Sequence, residues 1–283
     1  MTPLRQRLIE KLRLKNYSVR TQQAYVAAVA HFARHFGRSP DQLGAVEIHQ
    51  WQLHLRDERQ CSWSGYNIAM CGLRFFYREV LEREDLIPRL AYMRREKTLP
   101  VVPSPEEVGR FLEAIEDDRC RMLLSVTYAC GLRLLEAICL EVSDIDSERM
   151  VVHVRLGKGK KDRYITLSPV LLEMLRTYWR EYKPRRLLFP SPTDPGKPLN
   201  ATTIQKQCPR ICAKAGLSKK ITPRTLRHAF ATHLLENGTN IRVVQTLLGH
   251  RSVKTTETYT HVSTEAIAAV VSPLDRLPNK RRR

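Results

Sequence analysis

The 283-residue chain is short of several things, and each shortage closes off a class of function. Acid is scarce: 29 Asp and Glu face 48 Lys and Arg, a formal charge of +19. That excess runs along the whole chain and is not confined to a tail. Its natural counterpart is a polyanion, nucleic acid ahead of membrane. Long apolar runs are missing. The N-terminus MTPLRQRLIEKLRLK is charged and amphipathic, without an apolar signal core, and no segment is long enough to cross a bilayer. A cytoplasmic protein with no membrane partner is expected. Paired cysteines are missing too, for the seven (61, 71, 120, 130, 139, 208, 212) contain no C-x-x-C. Most lie in apolar helical stretches and read as small buried hydrophobes of a reducing compartment. Cys208 and Cys212 stand four apart on an expected helix, but no second pair at zinc-site spacing accompanies them.

Familiar catalytic patterns are also lacking. No G-x-S-x-G, H-E-x-x-H or G-x-x-x-x-G-K-[ST] occurs. No Asp/Glu cluster resembles a two-metal nuclease site. His228 and His233 are five apart, about 140° around a helix, and do not imitate an i, i+4 metal pair. No aromatic stacking platform marks a binder of single-stranded nucleic acid or RNA.

What is present is mostly helix. Residues 3 to about 82 contain four helical segments: PLRQRLIEKLRLKNYS with Leu at 4, 8, 12 and 14, SVRTQQAYVAAVAHFARHFG from a Ser18 cap to a Gly37 stop, AVEIHQWQLHLRDER, and SWSGYNIAMCGLRFFYREVL. They predict a four-helix domain over 1–84 with an outer face rich in Arg, Lys, His and Gln. Across 85–103 three prolines and a basic cluster break the pattern, which predicts an extended linker. A second domain, 104–283, opens at SPEEVGRFLEAI: Ser104 caps, Pro105 takes the first helical position and Glu107 completes a capping box. Helices are expected to about 142. RMVVHVRLGKGKKDRYITLS then reads as two β-branched runs joined in a hairpin, and helices resume from Pro169 to the end. The tail SPLDRLPNKRRR reads as exposed and partly disordered. The fold class predicted is mainly α, a four-helix domain followed by a mixed, mostly helical domain with a small antiparallel sheet.

Four places in the second domain poise cations for an anion. In TPRTLRHAFATHL, residues 222 to 234, Arg224 and Arg227 share a helical face near an N-terminus whose free N–H groups already attract anions. In ACGLRLLEA, Arg133 stands in an apolar helical region where an arginine needs a partner; Glu136, three residues on, offers a structural ion pair as the alternative. In GKGKKDR, Gly157 and Gly159 let backbone approach a ligand and Lys158 sits between them; a solvated charged turn is the alternative. In LLGHRSVKTTETYTHV, His250 follows a Gly249 helix stop, and Tyr259, nine residues later, reads on its own as packing. Together, Arg, Lys, His and Tyr without carboxylates or metal suit attack on a phosphodiester. Arginines stabilise the charged transition state, a tyrosine is the nucleophile, and a lysine or histidine moves protons.

These motifs resemble the tyrosine recombinases, the phage-integrase and Xer-type family, over essentially the whole chain. LRLKNYSVRTQQAYVAAVAHFARHFG is similar to the family's core-binding domain, GLRLLEA to its first arginine box, and VHVRLGKGKKDRYITL to the hairpin bearing its lysine. The most specific match is LRHAFATHLLENGTNIRVVQTLLGHRSVKTTETYTHV. The resemblance implies that Tyr259 attacks the scissile phosphate, forming a 3′-phosphotyrosyl link and releasing a 5′-hydroxyl. It implies that Arg133 and Arg227 clamp the non-bridging oxygens, that Lys158 protonates the leaving oxygen, and that His250 hydrogen-bonds the phosphate. No metal, nucleotide or other cofactor is implied. The implied partners are double-stranded DNA, held between two domains as in a clamp, and other copies of the chain, four protomers on two sites. A second, related recombinase is a further candidate partner, and STEAIAAVVSPLDRL has the apolar content to dock on a neighbour. An integrase of a mobile element, a chromosome-dimer resolvase and a cassette integrase share these motifs; the compact length and the SPLDRLP tail favour a mobile-element recombinase in a bacterial cytoplasm.

Two positions depart from the family pattern. Arg224 stands where the family usually has a histidine that helps take the tyrosine's proton. A permanently charged arginine cannot be a general base, and losing one typically costs ~10²–10⁴ in rate. Leu135 replaces a common serine, a packing change beside Arg133. Rival readings are a relative that binds recombination sites without cutting and a topoisomerase that nicks and reseals without exchange.

Overall fold

The structure is a computed structural model that describes residues 2–94, 101–155 and 162–249. The chain divides into two units, 1–98 and 99–283. In the first, α1 (Pro3–Leu14), α2 (Val19–Phe36), α3 (Ala45–Leu53) and α4 (Trp63–Glu79) follow one another, α3 running on into a single π turn over His54–Glu58. The caps are local chemistry. Ser18 Oγ accepts from the Thr21 N–H at 3.2 Å, and α2 ends at Gly37 in the left-handed region. Leu8 and Leu12, one turn apart, are buried, whereas Leu14 lies two residues further round the helix and is 82% exposed. The core gathers Phe32, Trp51, Met70, Leu73, Phe76 and Tyr77.

Residue 85, the expected start of an extended linker, lies instead in structure that packs on the first unit. Glu84–Arg89 forms a 3₁₀ turn, which tolerates Pro88, and Leu86, Ile87 and Leu90 are buried in the core of the first unit. Arg74 donates to the carbonyls of Ile87 and Leu90, while Trp63 Nε1 donates to the Met93 carbonyl at 2.7 Å. The apolar side chains of this stretch have somewhere to go, so they fold back. The basic stretch 95–100 lies outside the described residues.

The second unit contains α5 (Pro105–Glu113), α6 (Asp118–Ala129), α7 (Leu134–Ile138), β1 (Ile145–Asp146), β2 (Val151–Val154), β3 (Arg163–Thr166), α8 (Pro169–Tyr182), α9 (Ala201–Lys214), α10 (Pro223–Glu236) and α11 (Ile241–Leu248). The capping box at α5 forms: the Glu107 N–H donates to Ser104 Oγ, and Glu107 Oε2 accepts from the Ser104 N–H at 2.8 Å. Helix α6 is buried on nearly every side, from Cys120 through Thr127, as a central helix of a core must be. The strands pair antiparallel in the order β1-β2-β3, with Val152 opposite Ile165 and Val154 opposite Arg163. Strand β1, two residues long, is too short to leave a period in the sequence. The two strands of the expected hairpin, β2 and β3, are therefore part of a three-stranded sheet.

Two further expectations differ. The helical run to about 142 is broken, since α7 ends at Ile138 and a 3₁₀ turn covers Val142–Asp144. Between α8 and α9 the chain is irregular, with bridges pairing Glu141 to Leu187 and Pro190 to Pro198. Prolines 184, 190, 192, 195 and 198 deny this stretch helical hydrogen bonds. Of the cysteines, 120, 130, 208 and 212 are buried, 61 and 71 half-buried, and Cys139 is exposed. Among the described residues no helix is long and apolar enough to cross a membrane. The C-terminal segment and basic tail lie outside the described residues.

Candidate active site

Three arginines converge on one carboxylate. Glu136, on α7, receives the Arg133 N–H at 2.9 Å and Arg133 Nη1 at 2.6 Å. Arg163, the first residue of β3, places Nη1 and Nη2 on its two oxygens at 3.2 and 2.7 Å. Arg227, on α10, approaches to 3.6 Å. Side-chain exposure is 8% for Glu136, 7% for Arg227, 9% for Arg163 and 29% for Arg133. Burial pushes the Glu136 carboxyl up. The hydrogen bond from Arg163, the Arg133 N–H, the charge on Arg163 and the Arg133 side chain outweigh it and hold the group down at about 2. One carboxylate against three guanidiniums leaves two positive charges in excess within this group of four. Charges taken out of water need compensation, and an anion brought to the Arg133 edge would supply it.

The backbone brings these groups together for identifiable reasons. Helix α6 ends at Cys130, and Gly131 turns the chain with φ +56°. A Cβ at 131 would lie 2.2 Å from the Phe230 ring, so only glycine permits α10 to pack here. Arg133 then occupies the N-cap position of α7. Helix α10 starts at Pro223 behind a Thr222 cap. Arg227 sits one turn in, donating Nη1 to the Gly131 carbonyl at 2.8 Å and Nη2 to the Leu248 carbonyl at 2.7 Å. It thereby satisfies carbonyls at the C-terminal ends of α6 and α11, where helices leave acceptors unpaired.

Arg224 stands exposed on α10, its Nε donating to His228 Nε2 at 3.2 Å. The accepting nitrogen carries no proton, so the imidazole is neutral. Burial, then the charges of Arg224 and Arg227, pull the His228 pKa down to about 4. His233, by contrast, is held within the fold: its Nδ1 accepts from the Tyr128 hydroxyl at 2.8 Å and its Nε2 donates to the Pro103 carbonyl at 3.1 Å. Leu135 is 65% exposed, so its replacement of serine is a surface change and not the packing change expected.

Of the six candidate residues, the structure brings Arg133 and Arg227 to the same carboxylate and sets Arg224 on the exposed surface of α10. Lys158, His250 and Tyr259 lie outside the described residues. The ion pair of Arg133 with Glu136 is made, but it is one arm of a larger cluster. Arg163 was given no role by the sequence, although the signal was there. It lies two residues before the buried Ile165, on the inward face of β3, and an arginine on an inward face needs an anion.

The chain is thus a helical unit followed by a mostly helical one in which three arginines surround a buried carboxylate. The description Phage integrase family fits residues 103–266, and Phage integrase, N-terminal SAM-like domain fits residues 4–85. The Sinorhizobium fredii protein y4qK is 45% identical over 280 residues, 98% of this chain and 90% of that one. Tyrosine recombinase XerD of Staphylococcus saprophyticus is 38% identical over 205 residues, 69% of each chain. The solved pre-cleavage complex of the XerH site-specific recombinase with its difH substrate is 26% identical, with a TM-score of 0.69 over 93% of this chain and 83% of that one. This chain belongs to the phage integrase family and is an enzyme of the tyrosine-recombinase class.

Proposed function

We propose that the protein cuts and rejoins duplex DNA at specific sites through a covalent phosphotyrosine, as the integrase of a bacterial mobile element. The observation that carries this reading is the gathering of Arg133, Arg163 and Arg227 around the single carboxylate of Glu136, a cluster of fixed cations that a phosphate can join. Arg133 and Arg227 take the non-bridging oxygens of the scissile group. Tyr259 attacks phosphorus as its phenolic proton departs, a P–O bond to tyrosine forms, and the bond to the 5′-oxygen breaks. Lys158 delivers a proton to that oxygen, and His250 hydrogen-bonds the phosphate. The phosphotyrosine conserves the bond for attack by the 5′-hydroxyl of another strand, which restores the diester and frees the tyrosine. The relative XerH, a site-specific recombinase, is solved bound to its difH substrate before cleavage, which supports a cleavable DNA site as the substrate here. The first unit contributes DNA contacts, and four protomers assemble on two sites.

A second reading, a relative that occupies recombination sites but cleaves weakly or not at all, draws on Arg224. Its Nε is engaged by His228, and its charge never leaves it. One experiment separates the two. The purified protein is incubated with nicked DNA from the region flanking its own gene, and covalent adducts are read on a denaturing gel. The enzyme gives an adduct that Tyr259→Phe abolishes. Tight binding without adduct, with adduct recovered in Arg224→His, establishes the second reading instead.

A further inference from the structure

We infer that Arg163 is a positioning residue for strand cleavage: it occupies both oxygens of Glu136 and the Leu247 carbonyl, and so keeps Arg133 and Arg227 set for the phosphate. The inference rests on the recombinase reading above. All three guanidinium nitrogens of Arg163 have a protein acceptor: Nε at 2.8 Å from the Leu247 carbonyl, Nη1 and Nη2 on the two carboxylate oxygens. It therefore acts through its neighbours. Because Arg163 takes Glu136 in a two-pronged grip, Arg133 meets the carboxylate side chain to side chain through Nη1 alone, and Arg227 stands outside hydrogen-bond reach at 3.6 Å. Without Arg163, the buried carboxylate, which Arg133 already meets at 2.6 Å, recruits the nearest cation not yet hydrogen-bonded to it. Arg227 is that cation, and its shift toward Glu136 spoils the clamp.

Arg163 also sets the end of α11. Its Nε holds Leu247 while Arg227 holds Leu248, so both closing carbonyls of the helix hang on arginines that share Glu136. Gly249, with φ +62°, passes so close that a Cβ there would lie 3.2 Å from Arg163 Cδ. In sequence, Arg163 follows Lys158 by five residues, and His250 directly follows Gly249. One guanidinium thus ties β3, which follows Lys158 in sequence, to α11, which precedes His250.

The test is single-turnover adduct formation at saturating protein on the nicked DNA, using the full-length native chain, Arg163→Gln, Arg163→Lys, Glu136→Gln and the Arg163→Gln/Glu136→Gln double variant. Tyr259→Phe serves as the control, and DNA affinity is measured in parallel. Arg163→Gln is expected to slow the rate constant about tenfold to a hundredfold, as displacement of a catalytic group by an ångström does, with affinity changed by less than about threefold. Arg163→Lys, which keeps the charge but cannot reach three acceptors, falls between. Neutralising Glu136 in the double variant removes the carboxylate that recruits Arg227, so the double reacts faster than Arg163→Gln alone. An Arg163→Gln rate within about threefold of native, or a smaller amplitude at an unchanged rate constant, assigns Arg163 to folding alone and overturns the inference. If the native chain forms no Tyr259-dependent adduct on any site DNA it binds, the recombinase reading falls first and takes this one with it.

Discussion

Glu136→Gln is the substitution whose cost can be worked out most fully. The carboxyl is held at about 2 against an ordinary 4.5. At about 1.4 kcal/mol per pH unit, that difference corresponds to about 3 kcal/mol of net stabilisation of the ionised form, by Arg163 and Arg133 against the cost of burial. Glutamine keeps the size and can still accept hydrogen bonds, but it returns none of the charge compensation. The group's folded-state pKa lies below its unfolded value, so its contribution is complete above about pH 4.5 and is lost as pH falls toward 2. Urea unfolding of native and variant chains, followed by far-ultraviolet circular dichroism at several pH values from 6.5 to 3, reads the difference directly. It should be about 3 kcal/mol near neutrality and shrink steadily below pH 4.5. A gap under about 1 kcal/mol at pH 6.5, no more than an exposed ion pair gives, or one that does not change with pH, would refute the picture of a single carboxylate holding this cluster.

Two further outcomes follow from the same region. Gly131→Ala puts a methyl group 2.2 Å from the Phe230 ring on a backbone with φ +56°; strain of about 1–2 kcal/mol joins an overpacking cost of about 1–3 kcal/mol. Adding Phe230→Ala should relieve the second cost but not the first, so thermal unfolding should show partial recovery, and an undiminished melting temperature in Gly131→Ala would contradict the close approach. Arg224→His removes one of the charges that depress His228, whose pKa should rise above about 4 while remaining below 6.5 because burial is the larger cause. The imidazole carbon-bound proton shifts in a pH titration by NMR check it, and no movement would mean His228 does not sense the charge of Arg224.

Whatever depends on residues within about one turn was legible in the sequence. The Ser104–Pro105–Glu107 start of α5, the Ser18 cap and the left-handed glycines 37 and 249 that end α2 and α11 are satisfied by atoms at most four residues away. The Leu8 and Leu12 stripe needed only the helical period. The cationic residues of the second unit and the scarcity of acid likewise announced an anion partner before any fold was known. Tertiary structure decided the rest. Residues 84–90 fold back because buried apolar side chains outweigh the linker signal of Pro88 and the charges. The partnership of Arg163 with Glu136 spans 27 residues, that of Arg227 with the Gly131 carbonyl 96, and that of Arg163 with the Leu247 carbonyl 84. No local period encodes such distances. Sequence alone supplied the charges, but the fold set three of them around one carboxylate, because burial in low dielectric makes every unpaired charge costly and leaves few arrangements that compensate them.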